Sequence, residues 1–382
     1  YQADGADEID GALVAAAGAT VGSEVRLSDM GGTDSSTLYD ASWPDVAYNP
    51  VNSEFLVVWM GDDNTGSLVD NEFEIYGQRV TAAGAETGTN DVRLSDMGPD
   101  GNSAYTANFP RVAADTTTGK YLVTWTGDDN TAPLVDGEWE AWSQLVNANG
   151  TENGTDTRLS DMGPNGSALY TANRADVAYN SVDTEYLVAW EGDDNTAPLV
   201  DGENEIFVQK VTAAGAETGT NDIRISDMGT DGSTLYAAQV PSVAFNPVAG
   251  QYLVAWQGDD TSSTAIDGQI EIWAQRLDSN AAQVGDNDRR ISRANLTTSG
   301  TAKGALTVAL AASTRAKKWH LAWESDPALG SLNDNEYEIY DSILGIDPGI
   351  DMATSGNIAL RIDGAAANTN SGFTLRDAGD VN

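Results

Sequence analysis

The stretch EYLVAW, residues Glu185–Trp190, decides the fold of this chain because it returns at a nearly constant spacing. Its counterparts are EFLVVW, KYLVTW, QYLVAW and KWHLAW, and successive copies are 65 to 67 residues apart. The tryptophans that close the five runs are Trp59, Trp125, Trp190, Trp256 and Trp323. A fixed period of this length indicates a repeat architecture in which each repeat is one supersecondary unit. We expect these tryptophans to be packed in the core.

Each repeat has the pattern of four short strands. A run such as ADVAYNS precedes EYLVAW, and the runs NEIFVQKV and DIRISD follow it. These runs are rich in aromatic and β-branched residues, Gly, Ala and Asn separate them, and no helical periodicity is present. A four-stranded unit repeated at a fixed period is the signature of a β-propeller blade. We therefore predict an all-β fold, a β-propeller with blades of about 66 residues, with a β-solenoid or a string of small sandwiches as alternatives.

Five complete repeats predict five blades, with six as the alternative. The alternative arises because the N-terminal stretch DGADEIDGALVAAAG matches residues 201–215 and so opens inside a repeat, before its third strand. We assign residues 1–23 to a partial repeat that supplies third and fourth strands. Residues 24–363 form the five-repeat propeller, and residues 364–382 form a linker and the start of a further module.

The charge of the chain excludes several classes of function. The 382 residues include 59 acidic and 19 basic side chains, for a formal net charge of -40. Binding to nucleic acid or to anionic lipid needs Lys and Arg, so we predict neither partner. The chain has no cysteine, which excludes disulfides and thiolate metal sites. No uncharged apolar run reaches about 18 residues, so we predict no membrane insertion.

Carboxylates recur at fixed distances from each repeat's tryptophan. Aspartates follow it by three, four and eleven residues, and a glutamate follows it by fifteen; the fifth copy lacks the second aspartate, where Pro327 stands. The set is Asp62, Asp63, Asp70, Glu74, Asp128, Asp129, Asp136, Glu140, Asp193, Asp194, Asp201, Glu205, Asp259, Asp260, Asp267, Glu271, Asp326, Asp334 and Glu338. Converging carboxylates repel unless a cation joins them, and oxygen ligands without His or Cys suit Ca²⁺. We predict calcium sites, against the alternative of a solvated hairpin whose side chains cap turns.

Propeller topology places these loops beside the connections from the fourth strand to the next first strand. Those connections carry SDMG in four repeats, whereas the fifth has Arg293 in place of the aspartate. The patterned acid should therefore lie on one side of the blades. We predict that this acidic face binds a protein or glycan ligand. Four tyrosines after the SDMG turns could stack on sugar or fill the seams between blades, namely Tyr39, Tyr105, Tyr170 and Tyr236.

The C-terminal stretch ALRIDGAAANTNSGFTLRDAGDVN, residues 359–382, resembles the start of an integrin-type FG-GAP repeat. In that family the phrase runs on into a calcium loop, which would begin at Asp380 and Asn382. The repeats themselves resemble those of β-propeller proteins secreted by bacteria or carried on their surface. These resemblances imply that the chain belongs to a larger protein with a further module downstream, and that it is extracellular or at the cell surface.

The leading functional prediction is a calcium-stabilised propeller module with an adhesive or structural role and no chemistry of its own. A multivalent, lectin-like carbohydrate-binding propeller is the first alternative, since repeated shallow sites raise avidity. A glycoside-active enzyme that uses carboxylates is the second. The single histidine, His320, takes the place of a leucine in the repeated run, so we expect it to pack and not to act as a base.

Overall fold

A computed structural model describes residues 7–15, 18–32, 38–64, 66–260, 270–292, 304–325 and 338–346. Within these ranges the chain is almost entirely β-structure, and the one helical element is a 3₁₀ turn at Met30–Gly32. The strands before the third repeat are β1 Asp10–Val14, β2 Thr20–Arg26, β3 Ala41–Asn49, β4 Glu54–Asp62, β5 Phe73–Thr81, β6 Glu86–Arg93, β7 Ala107–Ala114, β8 Tyr121–Asp128, β9 Trp139–Val146 and β10 Thr157–Arg158. The later strands are β11 Ala172–Asn180, β12 Glu185–Asp193, β13 Asn204–Thr212, β14 Glu217–Arg224, β15 Ala238–Asn246, β16 Gln251–Gly258, β17 Glu271–Asp278, β18 Gln283–Arg290, β19 Ala305–Ala312, β20 Lys318–Ser325 and β21 Glu338–Gly345.

The strands form separate sheets that follow the repeats. The strand sets β3–β6, β7–β10, β11–β14 and β15–β18 each make one four-stranded sheet whose neighbours follow chain order. The fifth sheet has β19, β20 and β21 in the described residues, and β1 pairs with β2. The prediction of a five-bladed β-propeller is confirmed. Strand β1 lies within residues 1–23, and β2 begins there and runs on to Arg26.

The chain divides into two compact units. The described residues of the first unit run up to Val177 and include Val211–Glu217, and those of the second unit comprise Ala178–Lys210 and the residues from Thr218 onwards. Each unit has apolar clusters of its own, with Trp125 and Trp59 in the first and Trp256 and Trp319 in the second.

The repeated tryptophans of the second strands are core residues, as the repeat predicts. Trp59, Trp125, Trp190 and Trp256 are fully buried, and Trp323 is 8% exposed. The second strands of the first four blades are buried on both faces, as in β8, where all eight residues are buried, so the tryptophan is enclosed by its neighbours. His320 does not follow the prediction. It is exposed, although its leucine counterparts Leu56, Leu122, Leu187 and Leu253 are buried.

Candidate functional site

The first strand of each blade carries the same backbone irregularity. In β3, β7, β15 and β19 the pairing with the second strand shifts register at the start of the strand. A residue with positive φ stands at this point in all five blades, at φ values from 46° to 54°: Trp43, Phe109, Arg174, Val240 and Thr307. Side chains other than glycine rarely adopt this region, and β-bulges of this kind re-aim a side chain. Strained backbone that recurs in every blade points to a functional position.

The residue at this bulge also differs between the copies of the repeated first-strand run. The alanine two positions earlier is the same in all five copies, whereas the bulge holds Trp, Phe, Arg, Val or Thr. The backbone conformation therefore recurs with the repeat, while the side chain that it presents differs from blade to blade. A prediction that relies on invariant positions does not find these residues, although the variation is visible in the aligned copies.

Three of the bulge residues form one cluster in the first unit. The rings of Trp43 and Phe109 meet edge to face, with centroids 4.9 Å apart and planes at 84°. The guanidinium carbon of Arg174 lies 4.5 Å from the centroid of the Phe109 ring and 5.9 Å from that of Trp43. All three side chains are half-buried. We call these residues the aromatic–arginine cluster; its guanidinium is held by cation–π attraction and stays within reach of a ligand.

Side chains of the preceding blade hold the bulges in place. The main-chain N–H of Arg174 donates to Oγ1 of Thr126 at 2.8 Å. In the second unit the N–H of Val240 donates to Oε2 of Glu191 at 2.8 Å. Thr126 and Glu191 both directly follow the tryptophan of their repeat. The buried second strand therefore fixes the strained residue of the next blade, which is how such a conformation persists.

Charged residues lie two positions beyond the bulges. Oδ2 of Asp45 accepts the N–H of Val112 at 2.8 Å. Nε of the neighbouring Arg111 lies 3.8 Å from Oδ1 of Asp176. Asp45 and Arg111 are buried and Asp176 is half-buried. Two carboxylates are thus tied to adjacent residues of β7, next to the aromatic–arginine cluster in sequence and on the same strands. Carboxylates are groups that can transfer protons.

The aspartates three residues after each tryptophan are buried at the base of the acidic loops. Asp62 and Asp128 are 1% exposed, and Asp193 and Asp259 are also buried. Oδ2 of Asp62 accepts the N–H of Asn71 at 2.8 Å. The same bond joins Asp128 to Gly137 and Asp193 to Gly202. Burial, followed by the nearby charges, raises the pKa of Asp62 and of Asp128 to about 6. These aspartates close their own loops.

The next aspartates tie the acidic loops to the SDMG connections. Oδ1 of Asp63 accepts the N–H of Gly31 at 3.2 Å, and Asp129 and Asp260 make the equivalent bond to Gly98 and Gly229. The loops and connections are therefore on one side of their blades, as predicted. A glutamate thirteen residues after the tryptophan adds a second tie: buried Glu72 accepts the N–H groups of Val69 and Gly101. Its counterparts are Glu138 and Glu203, and the sequence analysis did not identify this position.

The predicted glutamates at fifteen residues belong to a different network. Glu74 is buried and accepts bonds from the hydroxyl of Ser95 and the N–H of Met97. Nη2 of Arg93 lies 3.9 Å from Oε1 of Glu74. Burial raises the pKa of Glu74 to about 8. The same serine contact recurs at Glu8, Glu140, Glu205 and Glu271. In the structure these glutamates join the start of the third strand to the end of the fourth.

The predicted metal ligands are therefore distributed over separate contacts. Asp70, Asp136 and Asp201 are exposed, and Glu338 is buried at the start of β21. Asp267, Asp326 and Asp334 lie outside the described residues, as do Arg293 and the segment 359–382. Among the residues that the structure describes, no three carboxylate or imidazole groups converge closely enough to hold a metal ion between them. The calcium assignment stays a prediction.

The tyrosines after the SDMG turns pack on the glycines of those turns. A Cβ built on Gly98 would lie 2.5 Å from the ring of Tyr105, and Gly163 and Tyr170 are arranged in the same way. One face of each ring is therefore covered, which favours the packing interpretation over sugar stacking. Gly98 has a φ of 64°, so both its backbone and its close contact require glycine.

Several solved structures have low similarity to this chain. No protein-family model matches the chain, and no curated protein matches its sequence. A thermostable family-43 glycoside hydrolase has a TM-score of 0.44 and 14% identity, over 84% of this chain and 93% of that chain. An N-acetylgalactosamine deacetylase from F. plautii has a TM-score of 0.44 and 9% identity, over 84% and 92%. A Hadza microbial sialidase has a TM-score of 0.48 and 12% identity, over 82% of this chain and 59% of that chain.

These findings correct the leading functional prediction. A module with an adhesive or structural role and no chemistry of its own is wrong, because the similar structures are glycoside hydrolases and other carbohydrate-active proteins. They are consistent with a glycan ligand and give no support to a protein ligand or to an FG-GAP repeat. At TM-scores below 0.5, no residue role or substrate passes from these proteins to this chain. The extracellular location and the domain boundaries stay predictions.

No helix in the described ranges is long and apolar enough to cross a membrane.

Proposed function

We propose that the protein is a glycoside-active enzyme that binds a neutral glycan at the aromatic–arginine cluster and hydrolyses it. The observation that carries the proposal is the cluster itself: Trp43, Phe109 and Arg174 stand at strained bulges of three successive blades and contact one another. A half-buried aromatic surface beside hydrogen-bond donors matches a sugar ring, which has an apolar face and a rim of hydroxyl groups.

The net charge of the chain selects a neutral glycan. A formal charge of -40 creates a potential that repels a polyanion at low and moderate ionic strength. Arg174 supplies five N–H donors in a fixed plane, and these can bond the hydroxyl and ring oxygens of an uncharged sugar. Its position over the Phe109 ring limits the rotamers that it can adopt, which reduces the entropy lost on binding.

Asp45 and Asp176 supply the carboxylates that glycoside cleavage requires. One carboxylic acid protonates the glycosidic oxygen as the bond to the anomeric carbon breaks, and a second carboxylate assists the attack of water on that carbon. The water oxygen bonds to the anomeric carbon, and its proton is retained by the second carboxylate. Asp176 is half-buried and so is within reach of a ligand, while Asp45 is fixed by the Val112 amide.

The test is an assay for new reducing ends on a panel of neutral and of sulfated or uronate-containing polysaccharides. We expect turnover on a neutral member of the panel. Asp176→Asn should lower kcat by at least about 100-fold, as loss of a general acid or base does. Trp43→Ala should raise KM more than it lowers kcat. Failure of every neutral polysaccharide to bind or react would contradict the proposal.

A matched variant separates binding from folding. Tyr48 is a half-buried aromatic residue on the same strand as Trp43, and it packs on Phe55 outside the cluster. Tyr48→Ala should leave KM unchanged at a temperature where both variants are folded. An equal change in KM for the two variants would show that the effect of Trp43→Ala comes from the stability of β3. Saturable glycan binding by a chain without any turnover would favour the lectin.

A further inference from the structure

We propose that the acidic loop between the second and third strands of each of the first three blades binds one calcium ion. The starting observation is one oxygen atom that recurs in three loops. Oδ1 of Asp62, of Asp128 and of Asp193 is buried and has no hydrogen-bond partner among the described residues. The three side chains are 1%, 1% and 5% exposed.

A buried carboxylate oxygen without a partner is rare in a folded protein. The great majority of buried polar atoms have a hydrogen-bond partner, and a buried charge is paired or bound to a metal. One such atom could be an isolated feature, but the same atom at the same position of three blades is a property of the repeat. The other oxygen of each carboxylate is already bonded to the loop, so the orientation of the free oxygen is fixed.

The charge around this oxygen distinguishes a cation from a water molecule. Burial is the main cause that raises the pKa of Asp128, and the negative charges of Asp136 and Asp129 also disfavour its ionised form. Asp201 and Asp194 act in the same way on Asp193. A water molecule would bond the oxygen but would not relieve the repulsion from the neighbouring carboxylates. A divalent cation both bonds the oxygen and removes the repulsion.

The arrangement favours calcium with several bound waters. All the donors are oxygen atoms, which excludes zinc and copper as the preferred metals. Asp136 and its counterparts are exposed at the rim of the loop and give a path from solvent. Three carboxylates do not converge on one point, so water must complete the shell. Calcium accepts six to eight oxygens in flexible geometry, and the weakest protein calcium sites have a Kd of about 10⁻⁴ to 10⁻³ M, the range that we expect here.

This ligand set is narrower than the one that the sequence predicts. Glu140 and its counterparts are excluded, because their oxygens are occupied by serine hydroxyl, backbone and arginine groups. The proposed ligands are only the aspartates three, four and eleven residues after Trp59, Trp125 and Trp190. None of these aspartates belongs to the aromatic–arginine cluster, so calcium binding can be tested independently of the proposed glycan activity.

The test is calorimetric titration of the full chain with calcium chloride, at an ionic strength fixed with potassium chloride. We expect at least three sites. Asp136→Asn should remove or weaken one site several-fold, because it lowers the charge at one rim. Asp161→Asn is the charge-matched control: Asp161 is also exposed, but it pairs with Arg158 outside the loop. It should leave calcium binding unchanged. Glu140→Gln should keep all sites, even where it lowers the unfolding midpoint.

Three outcomes would overturn the proposal. The first is an absence of calcium binding up to about ten times the upper Kd given above. The second is an equal loss of binding in Asp136→Asn and Asp161→Asn, which would mean that calcium screens the whole acidic surface. The third is equal protection against thermal unfolding by magnesium chloride or by extra potassium chloride, which would remove the case for a specific calcium site.

Discussion

Replacement of Trp125 tests the packing of the blades. Its side chain is fully buried in the cluster that holds Leu56 and Tyr121. A tryptophan buries 150 to 250 Å², which at about 25 cal/mol per Å² corresponds to about 4 to 6 kcal/mol. Measured losses for Trp→Ala are about 3 to 5 kcal/mol. We expect a loss of this size for Trp125→Ala in equilibrium urea unfolding followed by circular dichroism.

Phenylalanine at the same position should be tolerated. The indole N–H of Trp125 is buried and has no hydrogen-bond partner among the described residues. An unpaired buried donor costs about 1 to 3 kcal/mol, which offsets the area that Trp125→Phe loses. The net loss should be within about 1 kcal/mol. Trp142→Phe should cost more, because its indole N–H donates to the carbonyl of Gly127 at 3.2 Å. The reasoning fails if Trp125→Phe costs as much as Trp125→Ala, or more than Trp142→Phe.

Three further predictions follow from local contacts. Burial raises the pKa of Asp156 to about 7. Between about pH 4 and pH 7 the folded state therefore holds a proton that the unfolded state has lost, and the free energy of unfolding should fall as pH rises through this range. Asp156→Asn should flatten that part of a plot of unfolding midpoint against pH. Gly98→Ala should lower the thermal midpoint by several degrees, since its Cβ would lie 2.5 Å from the ring of Tyr105, and an unchanged midpoint would contradict this. Thr126→Val removes the acceptor of the Arg174 N–H and should cost about 1 to 3 kcal/mol in urea unfolding; retention of wild-type stability would mean that the bulge does not depend on this bond.

The fold could be predicted from the sequence because its signal is repeated. Five copies of EYLVAW-like runs identify the buried second strand, and the four-run pattern gives the blade. His320 shows where this approach ends. Burial of a strand residue depends on what packs on its face of the sheet, and a repeat pattern assumes that every copy has the same neighbours.

The candidate site was harder to predict, because its residues differ between the repeats that carry them. Trp43, Phe109 and Arg174 share a position but no chemistry, so a search for invariant residues passes over them. The acidic positions show the opposite difficulty. Glu74 is as invariant as Asp62, yet the first completes a serine and methionine network and the second ends in a buried oxygen without a partner. Only the structure distinguishes a carboxylate that completes a hydrogen-bond network from one that has an oxygen without a partner.

The central claim is that the aromatic–arginine cluster is the glycan site. A crystal structure of Asp176→Asn with a bound neutral oligosaccharide, chosen from the polysaccharide panel, tests it most directly. We expect a sugar ring within about 4 Å of the Trp43 or Phe109 ring, and a guanidinium N–H of Arg174 within about 3.2 Å of a sugar oxygen. A glycan bound at the tyrosines of the SDMG turns or on the acidic loops, with the cluster uncovered, would contradict the claim.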